Sequence, residues 1–165
     1  MAASNRLGQE RTSTRRKAMQ PPFDGGCECG SVRYRITGEA AIIYACHCTI
    51  CQSQSGSAFG MAMRIPVEYF HLTKGTLKTF NRKGSEGSNF TNSFCPDCGT
   101  RIHHASARRP DQISLKPGTL DDTGSLVPSH HVWVRSRQPW VQIPQNAVIF
   151  ETQPEDPSWL SGKQK

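Results

Sequence analysis

The sequence predicts a mostly β fold whose turns carry clustered cysteines. Short runs alternate apolar and polar residues, the chain is punctuated by 14 Gly and 11 Pro, and nowhere does a 3.6-residue apolar period last three turns. With 165 residues and 35% hydrophobic side chains, the chain suits one domain with short tails. No run of 18 apolar residues occurs, so no membrane-spanning helix is expected.

The clearest strand follows Ser31. Val32, Tyr34 and Ile36 are apolar, Arg33, Arg35 and Thr37 are polar, and Gly38 ends the run. Ala41 to Ala45 is a short apolar run leading into a cysteine cluster. Phe59, Met61 and Met63 alternate in a strand that Pro66 closes. Phe70 and Leu72 precede the turn Lys74-Gly75, and Leu77 to Phe80 read as the hairpin partner on its far side. Gly84 to Gly87 read as a loop. Further strands are expected at Arg101–His104, Gln112–Leu115, His131–Val134 and Ala147–Phe150.

Residues 1–20 are rich in Ser, Thr and Arg and poor in large apolar side chains, so they read as a disordered basic leader. The domain is expected over residues 21–151, and residues 152–165 read as a flexible polar tail, with a free end favoured over docking of Trp159 and Leu160. The formal charge of +7 is spread unevenly: the leader carries +4, residues 21–150 carry +4 and the remainder −1. Ionised cysteines would offset the positive charge of the central region, so that charge gives little support for nucleic-acid binding. The N-terminus has no apolar signal segment, so a cytoplasmic location is expected; a basic, Ser-rich leader also fits nuclear or mitochondrial targeting. Nothing in the sequence sets the oligomeric state.

The seven cysteines fall into Cys27-x-Cys29, Cys46-x-Cys48-x-x-Cys51 and Cys95-x-x-Cys98, with none left over. Thiols kept reduced inside a cell do not form a disulfide framework by default. Two thiolates one or two residues apart reach one tetrahedral ion from a tight turn, and zinc takes such sulfur ligands at about 2.3 Å. Gly25-Gly26, Gly30, Pro96 and Gly99 supply the turns. Iron–sulfur clusters also accept four thiolates, and Cys48-x-x-Cys51 has the spacing of a thioredoxin-type redox pair, though without the βαβ setting of one and with Cys46 beside it. Seven ligands divide most naturally into a closed set of four and an open set of three. The contiguous triplet Cys46, Cys48, Cys51 suits the open site. Cys27, Cys29, Cys95 and Cys98 would then close a long loop. His47, between two ligands, is expected to point away from the metal.

These residues resemble a known family. Gly25-Gly26-Cys27-x-Cys29-Gly30-x-Val32-Arg33-Tyr34, Cys46-His47-Cys48-x-x-Cys51-Gln52 with Gly56-Ser57-x-Phe59, and Phe94-Cys95-x-x-Cys98-Gly99 look like the glutathione-dependent formaldehyde-activating enzymes, a family that includes the domain of centromere protein V. Gly118-Thr119-Leu120-Asp121-Asp122 and His131-Val132-Trp133 match as well. The resemblance implies an all-β, zinc-ribbon-like fold of several small coiled sheets organised around zinc. It assigns Cys27, Cys29, Cys95 and Cys98 to a structural zinc and Cys46, Cys48 and Cys51 to a second, substrate-facing zinc. Two positions depart from the pattern. Asn92 and Ser53 stand where many relatives carry basic residues, and if those charges hold glutathione carboxylates, another thiol is the substrate.

A zinc bound by three thiolates is a weak activator of water but can hold an incoming thiol as a nucleophilic thiolate. The expected activity is a carbon–sulfur lyase reaction, the reversible addition of a glutathione-like thiol to a small aldehyde such as formaldehyde. Small thiols and aldehydes are thus the expected partners. The candidates for the proton donor are His131, His47 and Asp121-Asp122, with His131 taken as catalytic beside the triplet. Each has a plainer reading: an edge-capping histidine, a nearby or exposed one, a solvated turn. Ser57 and Phe59 line the pocket by resemblance, and His103 and His104 read as support or as exposed residues. The competing function is a non-enzymatic zinc module of the centromere protein V type, with the leader binding a polyanion.

Overall fold

A computed structural model describes residues 20–84 and 87–161, so the expected leader lies outside the described residues except for Gln20. Two β-sheets enclose the core. One has three strands in the order β1 (Phe23–Gly26), β2 (Arg33–Ile36), β5 (Phe70–Lys74). The other is larger. Its eight strands run β11 (Val148–Phe150), β10 (His130–Val132), β3 (Ile42–Cys46), β4 (Gly60–Pro66), β9 (Arg109–Leu115), β8 (Arg101–Ser106), β7 (Asn89–Phe94), β6 (Lys78–Lys83). The fold is thus all-β with one short helix, α1 (Thr49–Ser55), although one sheet is far from small.

The alternation after Ser31 has its expected consequence. Val32, Tyr34 and Ile36 are buried between the sheets against Met63, Ile65, Ile102, Ile113 and Leu115, with Cys27 and Cys95 embedded in the same cluster. Burying these side chains supplies most of the driving force for closing the two sheets together, at roughly 25 cal/mol per Å² of apolar surface.

The hairpin expected across Lys74-Gly75 does not form. β5 pairs with β2, while β6 pairs with β7 in the other sheet. Phe70 stacks on Tyr34 with ring centroids 5.2 Å apart, so the apolar face of β5 is claimed by β2. Gly75 has φ +76 and lies against the Ser31 carbonyl, where an added Cβ would come within 2.2 Å of the oxygen. That tight passage carries the chain from one sheet into the other. The segment read as a loop from Gly84 to Gly87 connects β6 and β7, with Gly84 N–H donating to Ser88 O at 2.7 Å.

The C-terminal end departs from the expected free tail as far as residue 161. Pro157–Ser161 form a 3-10 turn, Leu160 is buried, and Trp159 packs edge-on to Tyr44 at 5.2 Å. Phe150 and His130 complete that aromatic cluster.

Candidate metal centre and its cleft

The first cysteine set joins the two sheets. Cys27 and Cys29 follow β1, Cys95 and Cys98 follow β7, and their four sulfurs all lie within 4.8 Å of one another. Cys27 Sγ is 3.5 Å from Cys29 Sγ, and Cys29 Sγ is 3.8 Å from Cys95 Sγ. A tetrahedron with zinc–sulfur bonds of about 2.3 Å has edges of about 3.8 Å, so the donor set fits a four-thiolate ion. Each knuckle is closed in the same way. Gly30 N–H donates to Cys27 O at 3.1 Å and Gly99 N–H to Cys95 O at 3.0 Å, and both glycines have φ near the left-handed region, +75 and +74. The sulfurs also receive N–H and O–H donors, which favour thiolates. Val32 N–H donates to Cys27 Sγ at 3.1 Å. The Thr100 hydroxyl, 3.1 Å from Cys98 Sγ, holds that thiol down at about 6.

The second set is local. Cys46 ends β3, Cys48 is the N-cap of α1, and Cys51 lies in its first turn, where Cys51 N–H faces Cys48 Sγ at 3.4 Å. The three sulfurs lie within 4.8 Å of one another. Thiols this close cannot all ionise by themselves: Cys46 and Cys51 donate to Cys48, driving it far down, and Cys46 is driven up. A divalent cation would let all three ionise together, and three ligands leave one tetrahedral position open. The helix was missed in the sequence because it has only seven residues, mostly polar, and no buried apolar face.

Gln52 holds this loop in place. Its amide nitrogen donates to His47 O at 2.7 Å and to Ser136 O at 2.8 Å, and its amide oxygen accepts from Gln138 at 3.2 Å. His47 points away from the sulfurs, as expected, but it is buried rather than exposed. Its Nε2 lies 2.9 Å from Nδ1 of buried His131. Burial pushes both imidazoles towards the neutral form, in which one ring nitrogen donates and the other accepts. His131 therefore backs the loop and is not among the residues that line the cleft beside the triplet. Asp121 is also elsewhere, paired with Arg33, and Asp122 caps the Gly124 amide at 2.9 Å.

A cleft of about 210 Å³ opens beside Cys46, Cys48 and Cys51. A second cavity of about 450 Å³ holds Ser57 and Phe59, as the resemblance implies. Both are lined by Cys51, Gln54, Gly60 and Lys116. Cationic side chains line both: Arg64, Arg82, Arg108 and Arg109 in the first, Arg101 in the second and Lys116 in both. Burial lowers Lys116 to about 8. Sequence reading missed these residues because they come from separate strands and loops far apart along the chain. Asn92, where a basic residue was looked for, is fully buried and accepts a hydrogen bond from Arg101 at 2.7 Å. A guanidinium thus sits beside that position, supplied by β8 instead of β7. Arg101 also donates to Gln54 Oε1 on α1. His104, expected to be support or exposed, lines the first cleft.

Comparison with known proteins agrees with this architecture. A crystal structure of a Rhodobacter sphaeroides protein is similar in fold, with a TM-score of 0.50 at 20% identity over 62% of this chain and 91% of that one. The family model described as glutathione-dependent formaldehyde-activating enzyme matches residues 22–136, a span that includes all seven cysteines and both cavities' cysteine and lysine walls. The chain belongs to the glutathione-dependent formaldehyde-activating enzyme family.

Proposed function

We propose that this protein is a zinc-dependent carbon–sulfur lyase that reversibly adds a glutathione-like thiol to a small aldehyde such as formaldehyde. The observation that carries the reading is a set of three thiol sulfurs within 4.8 Å, opening on a cation-lined cleft. Cys46, Cys48 and Cys51 would hold one zinc and Cys27, Cys29, Cys95 and Cys98 a second, structural one. When bound, the first zinc supplies a position at which a thiol loses its proton near neutral pH.

The rest is done by the chain. In the forward direction the substrate's S–H proton is lost, a carbon–sulfur bond forms and the carbonyl π pair moves to oxygen, which must be protonated. Lys116 Nζ, lowered by burial to about 8 and lining both cavities with Cys51, is suited to take the first proton and return it to that oxygen. The Cys51 wall and the two cavities hold thiol and aldehyde together, which removes much of the entropic cost of their encounter. His131, through His47, has a positioning role in this scheme and no contact with the reacting atoms.

Metal analysis together with turnover tests the reading. The purified protein should contain two zinc ions per chain, and Cys48→Ser should lose one of them while remaining folded. The new S–CH₂–OH methylene should appear by NMR when glutathione and formaldehyde are added, and not with Cys48→Ser. A protein with no zinc, or a fully loaded one inert towards every thiol and aldehyde pair, would refute it.

A further inference from the structure

We infer that the inner wall of the smaller cleft is a carboxylate subsite built on Arg64; the inference rests on the proposed thiol–aldehyde chemistry only for the identity of the molecule that carries the carboxylate. Arg64 is only 7% exposed, yet its side chain makes no ion pair, and its Nε is buried without a hydrogen-bond partner. The ion pairs Arg33–Asp121 and Arg35–Asp24 are both made by β2 of the other sheet, and neither involves Arg64. Exposed Asp111 acts on Arg64 only from beyond ion-pair distance. An uncompensated buried guanidinium is costly, and chains keep one where a ligand supplies the missing charge.

The neighbours point to the same class of ligand. His104 lines the cleft with Nδ1 buried and unpartnered, its ring edge-on to Phe90 at 5.7 Å. Arg82 lies over the same Phe90 ring, with Cζ 4.6 Å from the centroid, and its Nε is likewise unpartnered. Arg109 and Lys116 add positive charge, and exposed Glu155 is the one acidic residue among the described residues of the lining. A carboxylate can accept the forked N–H donors of a guanidinium and a further hydrogen bond from an imidazole. Because Cys46, Cys48 and Cys51 line the same cleft, a molecule anchored by its carboxylate at Arg64 directs its other end towards the sulfurs.

Two substrates could bring that carboxylate: the thiol, as glutathione does, or an aldehyde with its own carboxyl group, such as glyoxylate. The test measures binding by calorimetry to the full-length protein as purified, for the wild type, Arg64→Met and Arg64→Lys. The probes are glutathione, glyoxylate and the carboxylate-free thiol N-acetylcysteamine. Arg64→Met should weaken binding of the carboxylate-bearing probe by at least about tenfold and leave N-acetylcysteamine unchanged. It should also melt no lower than the wild type, since it removes an unpaired buried charge. Arg64→Lys, which keeps the charge without the fork, should give an intermediate loss and serves if the methionine variant does not fold. Sensitivity confined to glutathione assigns the subsite to the thiol, and sensitivity confined to glyoxylate assigns it to the aldehyde. A wild type that binds glyoxylate through Arg64 but neither glutathione nor N-acetylcysteamine would support the subsite while sinking the thiol chemistry. Equal binding of both carboxylates by wild type and variants, or an equal loss of N-acetylcysteamine, would overturn the inference.

Discussion

Replacing Gln52 by Leu tests whether the Cys46–Cys51 loop owes its shape to one amide. The change removes hydrogen bonds to His47 O at 2.7 Å and Ser136 O at 2.8 Å, and the acceptor for Gln138 at 3.2 Å. Each bond contributes about 1 kcal/mol net. The site is half-buried and water can reach some of the orphaned groups, so the total loss should be about 2 kcal/mol instead of 3. For a chain of this length that lowers Tm by roughly 4–8 °C. The carbonyl of His47 lies between Cys46 and Cys48, so on the proposed zinc site the loop should also hold its metal less tightly, by roughly 10–100-fold, as with other supports of metal ligands. Calorimetry gives the first quantity and competition with a chromogenic chelator the second. Gln52→Glu is the control: it matches the shape of Gln52 but has no N–H to offer either carbonyl, so it should behave like the leucine variant or worse. An unchanged Tm and unchanged metal release in both variants would refute the idea that Gln52 shapes the loop.

Two further outcomes are expected. Leu160→Ala should cost about 2–3 kcal/mol by chemical denaturation, because the side chain is 5% exposed within the docked C-terminal turn; a loss below about 0.5 kcal/mol would mean that the turn does not pack in solution. Burial holds His103 at about 4 against an ordinary value of 6.5, so the folded state binds its proton less readily than the unfolded state. Its contribution is therefore intact above pH 6.5 and is lost as the pH falls towards 4, about 2 kcal/mol by pH 5. His103→Leu should flatten the fall in stability between pH 7 and 5, and an unaltered slope would count against a neutral, buried His103.

The cysteine spacing, the family resemblance and the alternation of Val32, Tyr34 and Ile36 were all legible because each is local. A metal knuckle must draw its ligands from within a few residues, and a half-buried strand must alternate every second one. The sequence by itself therefore determined the β class, the core face of β2 and the division of the cysteines into two sets. Strand partners were a different matter. Lys74-Gly75 reads as a hairpin turn, but the competition for Phe70 between β2 and the next strand is settled only by three-dimensional packing on Tyr34. His131 illustrates the same limit: its neighbours in sequence suggest an edge or a catalytic site, while register with β3 sets it against His47.

The cleft was decided by tertiary structure alone. Arg64, Arg82, His104 and Lys116 come from β4, β6, β8 and the loop after β9, and strand order brings them beside the cysteines. Alternation marks Arg64 as solvent-facing between Met63 and Ile65, yet that face of the sheet is covered where Trp159 and Leu160 dock. A solitary arginine on a strand carries no signal of what will later cover it. Ligand spacing is fixed by covalent reach along the chain, whereas the charge that faces a ligand is fixed by which strands become neighbours.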